Sequence, residues 1–307
     1  MVSALLRDKQ WSLWSASVAG SGAPTLIETA PARAQLLERI STDPFDGGRT
    51  ARWLNDLAAS AVYRSVRNGS QLIHVVSDRS YEELTVDLAL GLRLMAWITP
   101  RPLVWYWWDQ PWVRELPAGL DPGRDHVNGG WAVPGVLEVH VYRREEAHKV
   151  MLHESVHALG LDVPTLSVEA LRGAFERDLG RQLWPHLGEA FTELFAEWLW
   201  AIAGARSRGD AARRWRAQER CSARQAAQVW ARIRDSTEAE NTNVFAYYVL
   251  KWVLMGHLES VLLAPAASVG HWFDWWRASR ASLEEASKKE APSEGRNLRM
   301  GMTCPST

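Results

Sequence analysis

The apolar positions of this chain fall into two regimes, a mixed one up to about residue 160 and an almost wholly helical one beyond it. A helix is predicted over about 49–65, with Trp53, Leu54, Leu57, Ala58 and Val62 on one face. Gln71 to Val76 reads as a short buried strand. Ser80 followed by Glu83 spells a capping box. The helix it opens runs through Leu84, Leu88, Leu92 and Met95 to about Trp97, where Pro100 and Pro102 mark its end. Leu103 to Trp108 predicts a second strand, and Val136 to Tyr142 a third after a turn-rich stretch from Pro117 to Gly130. In the third strand Val136, Glu138 and His140 alternate with Leu137, Val139 and Val141, the pattern of an edge strand with one polar face. A helix then starts near Arg144, and further helices are expected at about 167–180, 187–204, 210–234, 242–260 and 268–286.

This pattern implies an α+β protein: a mixed sheet ending in a helix, then a mainly helical C-terminal half. The expected divisions are an irregular segment over 1–47, a mixed αβ part over 48–162, a helical part over 163–286 and a polar tail over 287–307. Gly20, Pro24, Pro31 and Gly47 punctuate the first of these, and the tail is expected to be poorly ordered or draped on the surface.

Composition narrows the function classes. Lys plus Arg number 35 against 36 Asp plus Glu, and a net charge of −1 supports neither a nucleic-acid nor an anionic-membrane partner. No uncharged apolar run is long enough to span a bilayer, and Arg7, Asp8 and Lys9 interrupt any apolar signal core. Cys221 and Cys304 form no CxxC pair or disulfide framework, which fits a reducing, intracellular and cytoplasmic setting. The 18 tryptophans read first as large core residues.

The chemistry lies in His153-Glu154-Ser155-Val156-His157, within the helix that follows the third strand. Residues four apart share a helix face, so both imidazoles can address one ion, and neutral imidazole suits Zn²⁺. Glu154 falls near that face and can take a proton from water whose pKa the metal lowers toward about 7. A catalytic zinc takes a third protein ligand. A third histidine at 163, as in metzincins, is absent because that residue is Val163. Glu189, Glu193 and Glu197 follow at four-residue intervals on one face of an otherwise apolar helix, and such a stack calls for a cation.

The motif plus a downstream glutamate resembles the gluzincin superfamily of zinc metallopeptidases. That resemblance implies a zincin-like mixed sheet with an active-site helix. It also implies Zn²⁺ as cofactor, and a peptide or protein substrate hydrolysed with Glu154 as base. Glu189-Ala190-Phe191-Thr192-Glu193 matches the third-ligand segment best with Glu189 as ligand and Glu193 behind a zinc histidine. A shift of one turn makes Glu193 the ligand and Glu197 its support. The gap from His157 to Glu189 is longer than in thermolysin-like members. Asn243 to Lys251 resembles the tyrosine-bearing helix of the aminopeptidase-like members, which implies Tyr248 ahead of Tyr247 as donor to the oxyanion. More loosely, Asn128-Gly129-Gly130, Val139 to Glu146 and Lys149 to Glu154 are similar to metallopeptidase-like proteins of large DNA viruses, which implies virion association as an alternative location. Two rival readings stand beside the peptidase: a catalytically inert scaffold or interaction protein, and a zinc hydrolase of a non-peptide bond.

Other residues near the motif read as structural. His140 is expected on a polar edge-strand face, His148 at the surface, and Arg143, Arg144, Glu145 and Glu146 at a solvated helix start. The arginines between Arg213 and Arg232 read as a solvated face. Trp105, Tyr106, Trp107 and Trp108 point alternately to both faces of their strand, so that strand is expected to be internal. The second aromatic cluster, Trp272 to Trp276, reads as core.

Overall fold

The computed structural model describes residues 12, 14, 25–27, 36–39, 48–57, 61–113, 127–161, 168–180, 183, 185–234, 242–263 and 269–289. The chain forms two compact units. One comprises Lys9–Val113 and Gly129–Leu161; the other comprises Met1–Asp8, Arg114–Asn128 and Asp162–Thr307.

The first unit is built on a mixed six-stranded sheet of order β1-β2-β3-β4-β6-β5. Its elements are β1 (Thr25–Ile27), α1 (Arg49–Leu57), β2 (Val62–Asn68), β3 (Gln71–Ser77), α2 (Tyr81–Ile98), β4 (Val104–Gln110), β5 (Gly130–Ala132), β6 (Glu138–Arg143) and α3 (Ala147–Ala158). β3, β4 and β6 run parallel, while β1, β2 and β5 pair antiparallel with their neighbours. The helix predicted over 49–65 stops at Leu57, and its last residues belong to β2. β2 and β3 form a hairpin turning through Gly69, whose φ of 58° suits glycine. Val62, Tyr63 and Val66 fit that strand, and Val62 reads equally as the next apolar step of a helix. The segment expected to be irregular contains β1.

Ser80 caps α2, and Glu83 completes the capping box by accepting from the Ser80 amide. β4 is internal, as its two apolar faces require, and Trp105, Trp107 and Trp108 are fully buried. On one face Ile73 and Trp105 meet α2 at Gly91, and Trp107 packs on His148 of α3. On the other face Val76, Tyr106, Trp108 and Tyr142 form a core with Trp53 and Leu54 of α1. The edge strand was expected at β6. It is β5 instead, and β6 lies between β4 and β5 with nearly all of its residues buried.

The second unit is helical among its described residues: α4 (Val168–Leu179), α5 (Leu187–Ala203), α6 (Arg208–Ile233), a π-helical turn (Phe245–Leu250), α7 (Lys251–Gly256), α8 (Leu258–Leu263) and α9 (Val269–Lys289). The single helix predicted over 242–260 is therefore divided into a π-turn and two short helices broken at His257. Phe175, Trp230, Phe245, Phe273 and Trp276 make the aromatic core of this unit. Trp276 also donates to Asp178 at 3.1 Å. α9 continues through the buried Ser287 to Lys289, past the expected start of the tail. The rest of that tail, 290–307, lies outside the described residues, as do most of the turn-rich stretch and Val163. The reading without a disulfide is corrected: Cys221 is disulfide-bonded, and the chain's other cysteine, Cys304, lies outside the described residues. Among the described residues no helix is long and apolar enough to cross a membrane.

A Cβ added at Gly91 would lie 2.9 Å from Ile73 Cδ1 and 3.2 Å from Trp105. Gly91→Val therefore overpacks the α2–sheet seam, with an expected loss of about 1–3 kcal/mol. Chemical denaturation should read this as a lower midpoint at unchanged slope.

Candidate metal centre

α3 carries the motif. His153 and Glu154 are buried and His157 half-buried, and the three offer ligand atoms within 4.8 Å of one another. The Nε2 atoms of His153 and His157 are 3.1 Å apart, with ring planes inclined at 67°. Two imidazole nitrogens on one tetrahedral zinc, each at about 2.0–2.1 Å, stand about 3.3 Å from each other. The pair therefore fits a shared cation with little adjustment. Ser155, between them, returns its hydroxyl to Met151 O at 2.6 Å, satisfying a buried polar group within the helix.

Gly130 of β5 sets how closely the sheet edge approaches this helix. A Cβ there would lie 3.1 Å from Glu154 Cγ, 2.9 Å from Val150 Cγ1 and 2.4 Å from the His140 carbonyl oxygen. The carbonyl belongs to the paired backbone of β6 and cannot step aside, so only glycine allows β5 to pass beside Glu154. His140 itself is buried, correcting the expectation of a polar edge-strand position. Its ring stacks between Tyr106 at 4.8 Å and Trp131 at 4.0 Å, in a row of cross-strand partners that continues to His74. Ser65 Oγ reaches His74 Nδ1 at 2.7 Å. Burial, with Arg67 nearby, holds the His74 pKa below the ordinary imidazole value.

The start of α3 is also not the solvated segment expected. Arg143 is buried and donates to Val113 O at 3.1 Å. Arg144 donates from Nε to the fully buried Asp109 carboxylate at 3.2 Å, and it also pairs with Asp78. Arg79 donates to the same Asp109 at 2.7 and 3.0 Å and to Asp87 of α2 at 2.9 Å, and Ser77 Oγ donates at 2.5 Å. At the second residue of α3, His148 Nε2 lies 2.8 Å from Asp87 O, and burial lowers its pKa. Glu146, the residue just before α3, has φ 64° and makes no side-chain capping bond. That left-handed conformation costs a non-glycine residue roughly 1–2 kcal/mol.

The remaining predicted residues belong to the helical unit. Glu189 is half-buried in the first turn of α5, where its amide donates to His186 Nδ1 at 3.2 Å. Glu193 and Glu197, on the same face, are fully buried. The cation their stacking calls for is Lys251, also buried, with Nζ 2.6 Å from Glu197 and 3.9 Å from Glu193. Ser222 adds a contact to Glu197 at 3.4 Å. Tyr248 is buried in the π-turn beneath Lys251, whose Nζ is 5.6 Å from the ring centroid; Tyr247 is half-buried. Gly130, Asp109 and Lys251 were not singled out as site residues from sequence. The available signals were the Gly129-Gly130 pair, a charge ending an aromatic strand, and a lone lysine in an apolar helix.

Removing one partner of a buried ion pair strands the other charge. Lys251→Met is expected to cost about 3–5 kcal/mol in urea unfolding, and Lys251→Met with Glu197→Leu should recover much of that loss. A double variant no more stable than the single one would mean that the loss does not come from a stranded Glu197 carboxylate. No family of known proteins, curated protein or solved structure matches this chain.

Proposed function

We propose that the chain is a zinc-dependent hydrolase of gluzincin type, a metallopeptidase acting on peptide or protein substrates. The observation that carries this reading is the convergence of His153, Glu154 and His157 on one buried helix, with ligand atoms within 4.8 Å. A second observation favours an extended peptide as substrate. β5, beside Glu154, ends the sheet order among the described residues, and a strand at the end of a sheet is the kind of element that an extended peptide can pair with.

In this reading His153 and His157 hold the metal and Glu189 is the third ligand, with Glu193 in support. Bound zinc supplies Lewis acidity, acidifying water and polarising the scissile carbonyl. Glu154 accepts the proton of the attacking water and returns it to the leaving amine. Tyr248 donates to the oxyanion. The 3.1 Å contact between the imidazoles also suits a hydrogen-bonded pair without metal, which is the inert-scaffold reading.

Elemental analysis of purified protein should find about one zinc per chain, lost in His153→Ala and His157→Ala. Zinc-free protein both before and after reconstitution would favour the scaffold. Glu189→Ala should weaken zinc more than Glu193→Ala, whose indirect effect is roughly 10–100-fold. Glu154→Gln should keep zinc and fold while turnover of a mixed peptide library falls by about 10²–10⁴-fold. Unchanged cleavage by that variant would remove Glu154 as base.

A further inference from the structure

We propose that Asp109 is a positioning residue for the metal-binding helix, a role that rests on the metal reading above. α3 does not set its own beginning. Its first residue is preceded by a left-handed Glu146 without a capping bond, so the direction of the helix is imposed from outside. Two hydrogen-bonded contacts contribute to it. Before the helix, the Arg144 amide donates to Gln110 O at 2.7 Å, and its side chain reaches both the carboxylate and the carbonyl of Asp109. Within the first turn, His148 is held against Asp87 O. Arg79 joins the two by binding Asp109 and Asp87 at once. Both holds therefore return to one fully buried carboxylate at the end of β4, where Ser77 adds a further donor.

The lever is short and stiff. His153 lies five positions beyond His148 in the same uninterrupted helix. A ring nitrogen roughly 7 Å from the helix axis moves about 1 Å for a 10° rotation of that helix. Metal–ligand distances tolerate about 0.2 Å. A small loss of orientation at the start of α3 thus spoils ligation without unfolding anything. Apolar side chains of similar volume commonly stabilise a core as well as a buried ion cluster does, so orientation is the better account of these charges.

Zinc affinity by competition with a chromophoric chelator, and the visible spectrum of the cobalt-substituted full-length protein, read this directly. Asp109→Asn is expected to weaken zinc about 10–100-fold and alter the cobalt bands at temperatures well below its unfolding. Arg144→Gln, at a side chain 31% exposed, tests the same hold should Asp109→Asn not fold. Arg144→Lys should restore part of the affinity. Trp53→Leu, in the core on the opposite face of the sheet, should lower thermal stability with affinity unchanged. Wild-type affinity and spectrum in Asp109→Asn or Arg144→Gln would overturn the proposal whatever their stability. An equal loss of affinity in Trp53→Leu would also overturn it, by reducing the effect to general destabilisation. A wild type that binds neither zinc nor cobalt would overturn the metal reading itself, and this proposal with it.

Discussion

A strand that is apolar on both faces has to be covered twice, and β4 is such a strand. Trp105 and Trp107 draw α2 and α3 to one face, while Tyr106 and Trp108 draw α1 to the other. Neighbouring strands must then cover its edges, which makes β3 and β6 internal as well. The same strand ends in Asp109 and Gln110, both fully buried. A carboxylate in that position needs charged donors. They come from the segments leaving β3 and β6, which run parallel to β4 and end on the same side. One of those donors, Arg144, lies just before the helix after β6, so the proposed hold on that helix starts from this carboxylate. In that proposal the motif histidines inherit their place from it.

Much of this was legible because it is local. The Ser80–Glu83 capping box, the four-residue spacing of His153 and His157, and the two-faced aromatic run of β4 each depend on residues close in sequence. What escaped depends on partners far away in the chain. Val62 extends the apolar stripe of α1 as readily as it opens β2, and only pairing with β3 decides between them. His140 looks polar in a strand pattern, but aromatic rings from β4 and β5 on either side make it a core residue. Arg144 looks like an ordinary charge before a helix until Asp109, distant in sequence, is placed beside it. The three-residue β5 is too short for periodicity, and its place shows only through the close approach at Gly130.

The acidic face of α5 shows how a sequence inference can be right in kind and incomplete in detail. The two fully buried carboxylates of that face, Glu193 and Glu197, do require a cation, while Glu189 is half-buried. The chain supplies one in Lys251, on the element after the π-turn. In a π-turn the residues that follow are rotated relative to regular α-helical spacing, so no count along an α-helix places Lys251 against Glu197.

This bears on the choice of ligand. The alternative register makes Glu193 the zinc ligand and Glu197 its support. Glu197, however, is held by Lys251 at 2.6 Å and by Ser222, and Glu193 is fully buried within 3.9 Å of the same ammonium. A carboxylate beside a resident cation is a weaker candidate for a second, divalent one, since the two positive charges would repel across a few ångströms of low-dielectric interior. Glu189 differs in kind. It sits half-buried in the first turn of α5, where the exposed backbone amides of the helix favour negative charge. Of the three carboxylates, Glu193 and Glu197 are thus the two that lie beside Lys251, which is why the proposed zinc reading keeps Glu189 as the third ligand.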